Sequence, residues 1–239
     1  MNHDVIFVGW GGNKLADSLY EQTGIPTVCI GRMDGHFDYD LYQIGGKVIG
    51  KEDRATELTN YLKETLSVIT NVTNNISEND KKSIYFWIVP AIGSPPRSNG
   101  IYDAFEYSGV INVASTTDRQ ALYETSNEQI AAWDPEYIFL QARKSNADVN
   151  YHTLETLEKD PSLKNVQAVI NNNVYNLRGP VSDWDTAIQL TEAMYIAKIL
   201  YSDLFKDLNV EKYGNEIFKK FYGVEGLYTE MMNFHGLFN

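Results

Sequence analysis

The residues in this chain best suited to chemistry are aromatic and basic, and they fall at the ends of apolar runs. Trp10 closes "DVIFVGW" and Arg32 lies just past "IPTVCIG". Trp87 belongs to "SIYFWIV", and Arg97 and Tyr102 follow it in a Pro/Gly stretch and the start of a helix. Arg143 follows "YIFLQ", and Arg178 and Trp184 lie within "RGPVSDWD". In open α/β sheets, ligands bind outside the carboxyl ends of the strands. Aromatic walls with a few arginines suit a bulky ligand carrying carboxylates or other oxygen anions. Trp87 alone reads equally well as core. Taken as a set on one side of the strands, these residues point to a binding cleft.

Catalytic machinery has less to stand on. "GWGGN" lies between a strand and a helix, where glycine-rich loops hold phosphates, yet it fits neither GxGxxG nor GxxxxGK[ST]. His3, His36, His152 and His235 are scattered without metal-ligand spacing. Cys29 is the only cysteine and lies in the middle of an apolar run, so neither a disulfide within the chain nor a CxxC site can form. No catalytic residue, metal ligand or cofactor is expected from these patterns. The net charge of -12 argues against a nucleic-acid partner and against anionic lipid surfaces. The sequence has no run of about 18 apolar residues and therefore no membrane span. It also shows no signal-peptide pattern, and its first strand begins within a few residues.

The elements that must position these residues follow from periodicity. "DVIFVGW", the helical "KLADSLYEQTG" and "IPTVCIG" make a βαβ unit with parallel strands. Leu41, Ile44 and Val48 give a helical face loosened by Gly45, Gly46 and Gly50, and Ala55, Leu58, Leu62, Leu66 and Ile69 continue it for several turns. A second α/β block begins at "SIYFWIV". It continues with a short helix "IYDAFEYSG", a helix capped by Ser126 with Gln129 three residues on, and the strand "PEYIFLQ". "VQAVINNNVYNL" reads as two short strands around a turn. Ala187 to Tyr201 and Val210 to Phe221 read as helices.

The segment "LYQIGGKVIGKEDRATELTNYLKETLSVI" resembles the connecting helix of class III solute-binding proteins of ABC importers, the iron-siderophore, haem and vitamin B12 group. Further segments resemble that family in the same order: "DVIFVGWGGNKLADSLYEQTGIPTVCI", "GIYDAFEYSGVINVAS", "TSNEQIAAWDPEYIFLQ", "LKNVQAVINNNVYNLRG" and "AMYIAKILYSDLF". Tyr107 and Ser108 stand where the family has small residues, and Glu136 replaces its usual aspartate.

The resemblance implies an α/β fold of two Rossmann-like lobes joined by a long rigid helix, with the first lobe incomplete. Residues 1–37 would be the βαβ remnant of the N-terminal lobe, 38–78 the connecting helix region and 79–239 the C-terminal lobe. The family begins with further strands, a signal peptide and often a lipid anchor, so the chain is expected to be a piece of a longer protein or a shortened relative. The implied function is non-enzymatic. The protein would capture a ferric siderophore, haem or cobalamin between its lobes, outside the cytoplasm, and deliver it to an ABC importer permease. Trp10, Arg32, Trp87, Arg97, Tyr102 and Trp184 stand in loops that match the family's ligand-reading loops. Asp17 on the first lobe and Asp183 or Asp185 on the second match its permease-docking acids, although each reads equally as a surface charge. The uncovered edge of the short N-terminal sheet implies self-association or pairing with another chain. The alternatives are a metal-ion binder of the same class, an enzyme on a two-lobe Rossmann-like scaffold, and an interaction module without a ligand.

Overall fold

The computed structural model describes residues 3–9, 12–30, 39–100, 102–115, 123–142, 151–179 and 185–235. The chain divides into two compact units, Met1–Glu64 and Thr65–Asn239, and both are α/β.

The first unit opens with β1 (Ile6–Val8), α1 (Gly12–Thr23) and β2 (Thr27–Cys29). The two strands pair in parallel, Ile6 against Thr27 through Val8 against Cys29, as a crossover helix requires. Gly24 ends α1 in the left-handed conformation (φ 70°), its N–H donating to the Tyr20 carbonyl at 2.8 Å. Then come α2 (Tyr39–Val48) and α3 (Glu52–Thr73). The glycines that loosen the helical pattern have separate uses here. Gly50 takes φ 64° and turns the chain between the two helices. Gly46 lets them touch, since a Cβ there would lie 2.5 Å from the Ala55 Cβ.

Glu52 and Asp53 stand in the first turn of α3, where negative charge complements the helix dipole. The helix then runs unbroken to Thr73, so that its residues belong to both units. Its buried stripe is Ala55, Thr59, Leu62, Leu66, Ile69 and Thr73, spaced by three and four. Thr59 takes the place in this stripe that the pattern assigns to Leu58. Its hydroxyl donates to the Ala55 carbonyl at 2.8 Å and accepts from the Gln43 amide at 3.1 Å, so a polar group is buried with its bonds made.

The second unit holds β3 (Ser83–Trp87), β4 (Arg97–Ser98), α4 (Asp103–Tyr107), β5 (Ile111–Asn112), β6 (Tyr123–Glu124), α5 (Asn127–Trp133) and β7 (Tyr137–Gln141). After these come α6 (Leu154–Lys159), α7 (Gln167–Ile170), β8 (Val174–Leu177), α8 (Thr186–Leu200), α9 (Val210–Tyr222) and α10 (Leu227–His235). The main sheet is parallel in the order β5-β3-β7-β8, and β4 and β6 form a separate antiparallel ribbon. Alternation along β3 divides the core. Tyr85 and Trp87 pack with Ile130, Leu157 and Val169 from the helices on one face, while Phe86 meets Tyr102 and Phe105 on the other. Helix α8 is buried on nearly every side, so its pattern is apolar on most faces, with Gln189, Thr191 and Glu192 buried among the apolar residues.

The expected strand at "VQAV" is instead the helical turn α7. The cause is Asp134, whose carboxylate accepts the Gln167 backbone N–H and the Gln167 side-chain amide, both at 2.8 Å, and so caps the first turn. Only the second half of that segment becomes a strand, β8. Among the described residues, no helix is long and apolar enough to cross a membrane.

Candidate functional site

In the second unit the carboxyl ends of β3, β7 and β8 lie side by side, because the strands are parallel neighbours. The loop after β3 begins with Val89 at φ 48°, a strained value for a β-branched residue. It is held there by its N–H, which donates to the Gln141 side-chain oxygen at the end of β7 (3.2 Å). Farther along, His152 donates its backbone N–H to the Pro90 carbonyl at 2.7 Å, and its ring packs on Trp87 with centroids 4.6 Å apart. The His152 ring nitrogen Nδ1 is 3.3 Å from the Thr156 hydroxyl. Burial pulls the His152 imidazole below its ordinary value, with Asp160 opposing.

Among the expected ligand residues, Arg97 is exposed and its guanidinium Nε and Nη2 both donate to one Glu124 oxygen, at 3.1 and 2.7 Å, across the β4–β6 ribbon. Trp87, 1% exposed, faces the core, and its indole N–H has no partner among the described residues. Tyr102 is 3% exposed, stacks on Phe86 at 5.8 Å and gives its hydroxyl proton to Glu192. Burial first, and then the neighbouring Glu192 carboxyl, push the Tyr102 hydroxyl well above its ordinary value. Both rings therefore support the lobe from inside and present almost no surface to solvent. Trp10, Arg32 and Trp184 lie outside the described residues.

Of the expected docking acids, Asp17 is exposed on α1. Asp183 lies outside the described residues. Asp185 caps α8 by accepting the Ile188 N–H at 3.0 Å, and its other oxygen accepts the Tyr222 hydroxyl. Its carboxylate is thus engaged in joining α8 to α9.

Sequence reasoning passes over Glu192, Glu124, Gln141 and the packing of His152. The signal for Glu192 is present in "TAIQLTEAMYIA", where one acid interrupts an apolar helix. A charge in such a place is retained only with partners. Among the described residues, no group of three His, Cys, Asp or Glu side chains could hold a metal ion.

Comparison with known families decides what this arrangement belongs to. The model for "Periplasmic binding protein" matches residues 3–181, about three-quarters of the chain. The chain belongs to the periplasmic binding protein family. One family relative is the molybdate-binding protein MolA of Haemophilus influenzae, 24% identical over 182 residues that make up 74% of this chain and 49% of MolA. The chain thus spans about half the length of this curated relative. Among solved structures, the ABC transporter solute binding protein of Sulfurospirillum deleyianum superposes with a TM-score of 0.74 at 21% identity, over 98% of this chain and 72% of that one. Helicobacter pylori CeuE with Ni(II) bound gives a TM-score of 0.70 at 18% identity, covering 97% of this chain and 72% of its own. At these identities the structures establish a shared fold, which is two-lobed and α/β.

Proposed function

We propose that this chain is the solute-capturing part of an ABC importer, working outside the cytoplasm, and that its solute is an iron complex or corrinoid showing oxygen anions at its surface. The family match over residues 3–181 carries this reading. The ligand chemistry rests on the strand-end loops of the second unit. Arg97, exposed in β4 after the carboxyl end of β3, supports this reading, since parallel α/β folds bind ligands at that end of the sheet. An incoming anion competes with Glu124 for Arg97, an exchange that favours multiply charged ligands over neutral ones. The name of MolA, a binder of an oxyanion, fits the same preference.

On this reading residues 1–37 and 79–239 are the two lobes and 38–78 joins them, with Asp17 and Asp183 as the acids offered to the permease. Among the described residues β1 and β2 pair only with each other, which invites association with a second chain, and solution scattering of the purified protein would reveal it as a dimer.

Thermal melting of the full chain tests the central claim against a ferric catecholate, a ferric hydroxamate, haem, cobalamin, molybdate and ATP. A ligand at a hundred times its Kd stabilises by about 2.7 kcal/mol, a rise of about 5–10 °C for a chain of this size. A rise with one of the four iron or corrinoid ligands is expected. A rise with molybdate alone would move the solute class to simple oxyanions, and a flat response to every probe would refute solute capture.

A further inference from the structure

Glu192 lies in the middle of α8 and is 6% exposed. Its Oε1 accepts the Gly179 N–H at 2.7 Å, and its Oε2 accepts the Tyr102 hydroxyl. Those two donors come from different loops. Gly179 opens the loop after β8, and it is packed so closely that a Cβ there would lie 2.8 Å from the Phe86 ring and 3.1 Å from the Gln141 side chain. Tyr102 follows β4 and is the N-cap residue of α4. One carboxylate therefore ties together two of the loops at the carboxyl end of the sheet. Arg97 lies in β4, shortly before Tyr102, and Arg178 precedes Gly179 and lines the space beside Glu192 with its Nε buried.

The space beside Glu192, lined by Arg178, Tyr195, Tyr228 and Met232, amounts to about 10 Å³, room for a single water. No solute fits there, so Glu192 acts on a ligand only through the loops it holds. A carboxylate suits the position because it is acceptor-only on both oxygens, whereas an amide would turn an N–H₂ toward one of the two donors. Burial pushes the Glu192 carboxyl up, and the Tyr102 and Gly179 bonds and the Arg178 charge pull against that. Tyr195 of α8 and Tyr228 of α10, the other titratable groups facing it, are both pushed up, chiefly by burial.

We propose that Glu192 is a positioning residue that clamps the segments after β4 and β8 to each other, so that the strand-end surface carrying Arg97 is preformed when it meets a solute. This rests on the solute-capture reading, and two measurements keep the two claims apart. The first is hydrogen exchange by NMR on the ligand-free chain. In Glu192→Gln the Gly179 amide and the Phe105 amide, which bonds the Tyr102 carbonyl, are both expected to exchange about tenfold faster or more, with α9 unchanged. Tyr102→Phe, a milder change, is expected to speed Phe105 and leave Gly179 as it was. Acceleration throughout the second unit, or at only one of the two amides in the Gln variant, overturns the clamp.

The second measurement is affinity for a ferric tris-catecholate probe well below the melting temperature. Glu192→Gln is expected to raise Kd about tenfold or more, mostly through faster release, while Tyr102→Phe raises it less. An unchanged Kd in Glu192→Gln overturns the proposal, because a residue that only stabilises the lobe would lower the melting temperature and leave affinity alone. If the unaltered chain binds no probe, the capture reading fails, and the exchange pattern still decides whether the clamp exists.

Discussion

Replacing Gly46 by alanine tests how α2 and α3 are held together. The added Cβ would meet the Ala55 Cβ at 2.5 Å and the Lys51 carbonyl oxygen at 3.1 Å, and neither atom is the far end of a flexible chain. Carbon atoms in ordinary contact are about 3.5–4.0 Å apart, so the helices must separate by about 1 Å. Overpacking of this kind costs about 1–3 kcal/mol. Alanine also gains about 1 kcal/mol of helix propensity over glycine, which hides part of the cost in the single variant. The double-mutant cycle with Ala55→Gly removes that ambiguity, because propensity cancels and only the contact remains. Urea unfolding followed by circular dichroism, with exchange of the α2 amides as a local probe, is expected to give a coupling of about 1–3 kcal/mol. A coupling below about 0.5 kcal/mol, the limit for independent sites, would mean the helices do not meet at these residues.

Three further expectations follow from the second unit. The His152 imidazole is held below its ordinary value by burial, so the fold favours the neutral ring. The stability this confers is present above the unfolded pKa of about 6.5 and is lost as pH falls through the folded one. Denaturation from pH 8 to 5 should therefore show a steeper loss in the unaltered chain than in His152→Gln, and parallel curves would contradict it. Asp134→Ala removes the acceptor of both Gln167 bonds and is expected to cost about 1–2 kcal/mol, with the α7 amides of Ala168 and Ile170 exchanging faster; unchanged exchange there would show that α7 needs no cap. Arg97→Ala breaks only an exposed pair and should change stability by less than about 1 kcal/mol; a larger loss in urea unfolding would mean the ribbon depends on it.

What can be read from the sequence, and what cannot, divides along a physical line. Helices and strands that bury one face announce themselves by period, as α3 does through Ala55, Leu62, Leu66 and Ile69, and β7 through its apolar run. The glycine stop at Gly24 is legible because few other residues tolerate its conformation, whereas Gly50 reads only as a loosening of one continuous helical face and in the structure divides α2 from α3. The turn at α7 is not legible, because the group that decides it, Asp134, is far away in sequence and acts through two hydrogen bonds. Four residues of apolar sequence cannot reveal a cap supplied from elsewhere. The aromatic residues of the candidate site mislead in a related way. Trp87 and Tyr102 are bulky residues near strand ends, a description that fits a ligand wall and a core equally well, and only the partners separate the two cases.

Glu192 shows what a closer reading of the same sequence would look for. An ionisable group inside an apolar helix costs several kcal/mol unless other groups bond to it, so its presence implies donors brought from elsewhere in the fold. Here the donors are Tyr102 and Gly179, and both lie beyond the carboxyl ends of strands. A lobe stabilised for its own sake could fill that position with leucine, which needs no partner. Keeping a carboxylate there makes the position of one segment depend on the other's, which is what the proposed clamp requires.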